Sequence, residues 1–473
     1  MIASIRRRWR AEGGYRQVLG LAVPLILSTG SWSVQGFINR MFLIWHSPES
    51  LAAAMPASMV NYAIMSIFVS TAGYVSTFVA QYHGAGQDNK VGRTAWQAVT
   101  VALAAAVVNL ALIPVAPGFF RMVGHDAAVQ AEEVIFFRIL CLGAFPAVMA
   151  SALSGMLSGL GRTKPVMAVT LSATGVNILL DYLLIFGHFG FPALGIAGAG
   201  WASVTAGTVQ LVAFSLIVFG RGYRERFQTI HWRPDAAALR ALIRYGLPAG
   251  IQFFIDMAGF TAFILLVGRL GRDELAATNL AFNVNTIAFM PMIGIGITVS
   301  VLVGQALGKG DPARARYSVR SAFDLTFLYM GAVAILFFLF PHAFLSPFAA
   351  ASNPQSFRSI ERISSVLLRF VAIYTLFDAL NIIFSSAIKG AGDTRFVMWM
   401  IFCLSIGILV IPSFISITWL GASVYTCWVI ASAYVMALGI AFFLRYRQGK
   451  WESMRVIETP SATREAAGSP SRS

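Results

Sequence analysis

The chain has 473 residues, of which 57% are hydrophobic and only 12% charged, a balance that no water-soluble domain of this length can enclose, because too little polar surface remains to cover it. A formal net charge of +15 would suggest a nucleic-acid ligand in a soluble protein. Here apolar segments recur throughout, so the basic residues are read first as signals of membrane topology, and no nucleic-acid partner is expected.

In chain order, stretches of about 20 residues or more, the length that crosses a bilayer core, occupy 17–45, 54–82, 95–117, 133–159, 165–187 and 194–219 (spans 1 to 6). Spans 7 to 12 follow at 241–269, 276–306, 317–343, 360–388, 396–419 and 421–444. The expected fold is all-α, a polytopic membrane protein of twelve transmembrane helices. Residues 1–16 hold Arg6, Arg7, Arg8, Arg10 and Arg16. The apolar run after them is longer than a signal-peptide core and has no small-residue cleavage site, so it reads as a first membrane helix.

The basic residues cluster in alternate joints: Lys90 and Arg93 after span 2, Arg162 and Lys164 after span 4, and an Arg-rich joint at 221–240 after span 6. Lys309 to Arg320, Lys389 and Arg395, and the tail from Arg445 continue the series, so most of the 35 Lys and Arg lie on one side. The positive-inside rule makes that side, with both termini, cytoplasmic. The organisation expected is a cytoplasmic N-terminus at 1–16, a six-helix bundle at 17–220, a linker at 221–240, a second six-helix bundle at 241–445, and a disordered tail at 446–473 rich in Ser, Pro and Thr. Cys141, Cys403 and Cys427 are scattered through apolar spans and read as structural.

The chain repeats itself. At an offset of 224 residues, Leu51 to Gly86 overlays the second half with twelve identities in 36 positions, including Asn61/Asn285, Gln81/Gln305, Gly84/Gly308 and Gly86/Gly310. At an offset of 231, Gly159, Gly161, Thr163, Val166 and Met167 match Gly390, Gly392, Thr394, Val397 and Met398. Each half therefore has six helices, an even number, and the two bundles are pseudo-symmetric parallel repeats that face each other across a cavity able to open to either side. Pro24 and Pro248 pair in spans 1 and 7. They read either as moving or binding elements or as prolines tolerated near first turns.

Carboxylates inside hydrocarbon cost about 2.5 to 3.5 kcal/mol on insertion scales and are functional candidates by default. Asp181 in span 5 lies four residues after Asn177; Asp256 in span 7 lies four after Gln252; Asp378 in span 10 has Tyr374 four before and Asn381 three after. Each acid thus shares a helix face with an amide. Their repeat equivalents are Pro412, Trp32 and Ala147, so the acids break the symmetry. A buried carboxylate can alternately take up a proton or a Na⁺ ion, which is what a coupling site must do; as helix glue it would instead be neutral and hydrogen-bonded.

Asn279, Asn283 and Thr286 share a face of span 8 and either line a wet cavity or bond across helices. Trp32, Phe253, Phe254, Phe282, Met290 and Met292 suit an adaptable pocket for flat cations, and equally a lipid-facing surface. The chain has no phosphate-cradling loop and no Ser/His/Asp or His-rich metal constellation, which disfavours an ATPase module and an enzyme.

Across the membrane region, LAVPLIL, INRMFL and LAAAMPA in spans 1 and 2, VAQYHGAG after span 2, GLGRTKPVM before span 5 and NILLDYLLIFGHFGFPALGIAGAGWA beyond it resemble the multidrug and toxic compound extrusion family. GLPAGIQFFID, LVGQALGKGD and AIKGAGDTRFVM continue the match in the second half. The resemblance implies a bacterial inner-membrane antiporter that exports drugs or other organic cations while Na⁺ or H⁺ enters, with no cofactor beyond the coupling ion and each chain functional as a monomer among membrane lipids. It implies coupling roles for Asp256 and Asp378, with Na⁺ bound there if sodium is the ion, and for the Asn177 and Asp181 network; Asn283 matches an Asn near the C-terminal-half acids and, with Asn39, Tyr374, Asn381 and Gln252, is expected to line the substrate cavity or serve as an auxiliary polar group. The family commonly carries an Asp in span 1 where INRMF has Asn39, and an amide cannot titrate; Asn39 can still offer a carbonyl to Na⁺ or hydrogen bonds. A flippase for lipid-linked or amphiphilic substrates is the rival within transport, and a non-transporting sensor or scaffold the rival outside it.

Overall fold

The computed structural model describes residues 8–230, 235–349 and 354–458, with the side chains of 349 and 354–356 set aside. Twelve apolar helical spans follow in order: α1 Tyr15–His46, α2 Pro48–Gly84, α3 Asp88–Leu112, α4 from Ala127–Leu142 and Ala144–Gly159, α5 Thr163–Phe186 and α6 Ile196–Val218. The second half has α7 Ala236–Val267, α8 Arg272–Lys309, α9 Pro312–Leu339, α10 Phe357–Ala391, α11 Thr394–Thr418 and α12 Val424–Arg447. Helices apolar on nearly every side suit hydrocarbon, where each backbone polar group must be paired within its own segment. Several start before the apolar cores expected from sequence, and polar caps hold three of those starts: Ser47 accepts from the Ser50 N–H at 3.0 Å, Asp235 from the Ala237 N–H at 3.0 Å, and Asp311 from the Arg314 N–H at 2.9 Å.

The spans are not all straight, regular helices. α4 bends by 47° between its two helices, at Gly143. α11 contains a π-helical turn at Ser405–Val410, an irregularity that recurs at functional sites. Pro24 and Pro248 are buried well inside α1 and α7, beyond their first turns, so tolerance of proline at a helix start does not account for them.

Four buried apolar clusters hold the bundle together: the largest is built mainly from α7 to α12, and two others from the first six helices. The halves meet at the end that carries both termini. There Gln81 of α2 donates its amide to the Gly390 carbonyl at 3.0 Å, and Gln305 of α8 donates to the Gly159 carbonyl at 2.8 Å. Gln81/Gln305 and Gly159/Gly390 are repeat equivalents, so these are two copies of one bond, crossed between the halves. Glycine permits the approach. A Cβ on Gly84 would run into the Gln305 backbone, and one on Gly308 into the Gln81 backbone. Tyr74 adds a bond from its hydroxyl to the Lys389 carbonyl at 2.7 Å.

The tail corrects an expectation. Composition predicts disorder over 446–473, yet the chain is packed through Ile457; 459–473 lie outside the described residues. Trp451 is buried, stacks on Tyr446 with ring centroids 5.0 Å apart, and donates to the Tyr446 carbonyl at 2.9 Å. Val456 and Ile457 are buried against the N-terminal half, and the Val456 N–H donates to Gln81 Oε1 at 2.8 Å. Three apolar anchors hidden in a polar tail hold a strap across the seam, and tail composition as a whole masks them. Part of the expected linker, 231–234, also lies outside the described residues.

Candidate coupling site and central cleft

Above the seal, the halves touch through Thr29 to the Met290 carbonyl at 3.5 Å and through an edge-on contact of Tyr62 with Phe253 at 6.1 Å. Farther toward the opposite end, Trp32 and Phe37 of α1, and Asn283 and Ile287 of α8, are exposed. Asn279, Asn283 and Thr286 form one exposed stripe on α8, opposite buried Ala277, Ala281, Val284 and Ala288. Amides and hydroxyls on a hydrocarbon-facing surface lose their water, so a polar stripe of this kind suits a wet surface. Asn283 donates to the Asn279 carbonyl at 2.9 Å, and Thr286 to the Phe282 carbonyl at 2.8 Å, within their own helix.

Of the apolar candidates, Trp32, Phe253 and Phe254 are exposed and Met290 is half-buried. Met292 is fully enclosed in a small cluster with Met330 and Ala379, and Phe282 stacks on buried Trp428 with centroids 5.0 Å apart. These two are core, not cleft wall.

The C-terminal half holds two of the three acids. Asp256 of α7 is half-buried and its Oδ1 accepts from the Tyr434 hydroxyl of α12 at 3.1 Å. Ser405, in the π turn of α11, lies close to this pair. A Cβ on Gly259 of α7 would strike the Ser405 hydroxyl, so glycine there lets the π turn approach. Asp378 of α10 is buried beside buried Tyr374, and Asn381 reaches its Oδ1 at 3.5 Å. Asp256 and Asp378 are the two acids inside this half, the first bonded to Tyr434 and the second buried beside Tyr374. Four helices thus bring together groups far apart in sequence.

Gln252, half-buried one turn before Asp256, is not the donor that Asp256 uses. That donor, Tyr434, was missed. Its signal was a tyrosine in the apolar run CWVIASAYVMAL, whose hydroxyl must find a partner when buried.

In the N-terminal half, Asn177 and Asp181 of α5 are fully buried. With its nitrogen turned toward Asp181, Asn177 donates to Asp181 Oδ2 at 3.0 Å and accepts from the Ser203 N–H of α6 at 3.2 Å; the Gln35 amide of α1 is 2.9 Å away. Asp181 Oδ1 and Asn39 Oδ1 are buried acceptors with no hydrogen-bond partner among the described residues. Acceptors of this kind suit a proton or a hard cation. No group of three or more His, Cys, Asp or Glu side chains that could hold a metal ion occurs among the described residues, so any site for Na⁺ would draw on amide, hydroxyl or carbonyl oxygens as well.

With this architecture in view, the relatives are decisive. The MatE family profile matches residues 24–183 and 248–415, one segment in each half. The chain belongs to the MatE family. It is 28% identical over 403 residues to the multidrug resistance protein PmpM of Pseudomonas aeruginosa, an alignment spanning 84% of this chain and 82% of that one. To the multidrug resistance protein NorM of Burkholderia vietnamiensis it is 29% identical over 386 residues, spanning 80% and 82%. Among solved structures, an outward-facing multidrug resistance MATE family transporter of the MOP superfamily superposes with TM-score 0.84 at 18% identity, covering 96% of this chain and 98% of that one. A MOP superfamily transporter from Pyrococcus furiosus superposes with TM-score 0.83 at 18% identity, covering 95% and 98%. At that identity the structures speak for the fold, and the MatE fold is the one built here from two crossed six-helix halves.

Proposed function

We propose that this MatE protein is a secondary active efflux transporter that exports organic cations or drugs in exchange for Na⁺ or H⁺ by alternating access. The observation that carries the reading is the pair of interior acids in one half, Asp256 bonded by Tyr434 and buried Asp378 beside Tyr374, in a protein whose halves are bonded together at the terminus-bearing end. Cation entry neutralises the acids, weakens their hold on a cationic substrate, and favours the state in which the seam has parted. The Asp181–Asn177 network serves as an auxiliary cation site, with Asn39 contributing a carbonyl oxygen. Trp32 and Phe253 offer aromatic faces to a flat cation.

The terminus-bearing end is read as cytoplasmic because it collects most of the Lys and Arg, and the bacterial relatives support an inner-membrane location. The cleft then opens outward. Both halves of the cleft come from one chain, which supports a working monomer.

The test is flux of a fluorescent organic cation in proteoliposomes, with Na⁺ and pH gradients imposed separately. Flux driven by one gradient, and lost in Asp256→Asn and in Asp378→Asn, is expected. Flux that ignores both gradients across several cations would sink drug antiport and turn attention to a flippase.

A further inference from the structure

Outside the cleft, at the terminus-bearing end, a second cavity of about 420 Å³ lies between the start of α7, the α10–α11 turn and the C-terminal strap. Its wall includes Arg244 and Tyr245 from α7, Asp393 and Arg395 from the turn, and Ser453 and Arg455 from the strap. The charge balance is one-sided. Asp393, the only carboxylate among these residues, is already held by Arg445 through bonds of 2.7 and 3.0 Å. Arg244 lies over the Tyr245 ring at 5.6 Å, and Arg244, Arg395 and Arg455 have no carboxylate within salt-bridge distance among the described residues.

The strap that brings Arg455 to this place is itself held, by Trp451 on Tyr446 and by the Val456 N–H on Gln81. Gly392 adopts a positive φ of 112°, and a Cβ there would press into Val456. Three arginines from three separate segments therefore line one cavity, Arg244 and Arg395 exposed and Arg455 half-buried.

We propose that this cavity binds a phosphate group, the anion whose oxygens match the planar fork of arginine. Its source is the headgroup of an anionic phospholipid. Basic pockets between helices at the cytoplasmic membrane face take such headgroups, and Tyr245 beside them suits the membrane interface. The lipid source rests on the topology proposed above; the phosphate chemistry rests on the cavity alone.

The experiment reads thermal stabilisation of the purified full-length protein in detergent on addition of short-chain phosphatidylglycerol, phosphatidylcholine or inorganic phosphate. Phosphatidylglycerol is expected to raise the unfolding midpoint and phosphatidylcholine not to. The half-effect concentration should rise by roughly tenfold or more in R395Q/R455Q, by the loss of about one charge-assisted bond per guanidinium, while R447Q, an exposed arginine outside the cavity, should match the parent. R395K/R455K retains the charge and should recover part of the affinity, which separates recognition from misfolding. Equal stabilisation by inorganic phosphate, sensitive to the same substitutions, supports the phosphate site and overturns the lipid source. Identical responses to phosphatidylglycerol and phosphatidylcholine, or an unchanged response in R395Q/R455Q, overturns the site. A failure of cation flux in the transport assay leaves this binding readout unaffected, so the two ideas fail separately.

Discussion

Replacing Gln81 and Gln305 by alanine tests whether the crossed seal sets the resting state. Gln81 is fully buried and makes two bonds across the seam, to the Gly390 carbonyl and from the Val456 N–H; Gln305 makes one, to the Gly159 carbonyl. Once the halves part at this end, these backbone groups meet water, so the bonds stabilise the sealed state differentially, which is the only way a contact can shift such an equilibrium. At about 1 kcal/mol net for each bond, Gln81→Ala lowers the sealed-to-parted ratio by roughly 30-fold, and the double variant by roughly 150-fold, since about 1.4 kcal/mol is a factor of ten.

The assay is electron–electron spin-label distance measurement between Ala85→Cys and Lys309→Cys, at the seam ends of α2 and α8, in a background lacking the native cysteines. The parent should give one short distance. The double variant should add a longer population that dominates, with Gln81→Ala intermediate and Gln305→Ala weakest. An unchanged distribution in the double variant refutes the latch, and so does a larger effect from Gln305 than from Gln81.

Three further outcomes follow from packing. Gly84→Ala places a methyl group against the Gln305 backbone, which cannot swing aside as a side chain can, so the same label pair should lengthen with no hydrogen-bonding side chain removed; an unaltered distance would show that the helices accommodate it. Val456→Pro deletes the N–H that bonds Gln81 and leaves a buried acceptor unpaired, at about 1 to 3 kcal/mol; the parted population should rise about tenfold, and normal distances would show that the strap is bystander structure. Trp428 is fully buried, stacks on Phe282 and donates to Thr278 Oγ1 at 3.2 Å, so Trp428→Ala should lose about 3 to 5 kcal/mol, read as a clear drop in the thermal unfolding midpoint in detergent; an unmoved midpoint would contradict that packing.

Much of this protein is legible in one dimension because a bilayer imposes its demands one helix at a time. A span needs length and apolarity, so the spans can be found without knowing their neighbours, and it is their ends that are misplaced, by several residues in either direction. An internal repeat is likewise visible as spacing, and an acid in an apolar run is conspicuous wherever it sits. Asp181, Asp256 and Asp378 therefore stand out from the sequence, and Asn177 and Asn381, one turn from their acids, are found bonding to them.

What the sequence does not contain is which faces meet. Asp256 takes its hydrogen bond from Tyr434 rather than from Gln252 because the fold brings the Tyr434 hydroxyl of α12 within reach of α7, a meeting of residues 178 apart. Met292 is core and Asn283 is exposed, although both lie on α8 and the sequence leaves either place open to either residue. The repeat marks Gln81 and Gln305 as equivalent, but only the folded chain brings each onto the other half's Gly390 or Gly159 carbonyl. Composition and periodicity are sums along the chain and so determine membrane, helices and halves. Hydrogen bonds and cavities depend on where distant segments cross, and that is decided in three dimensions.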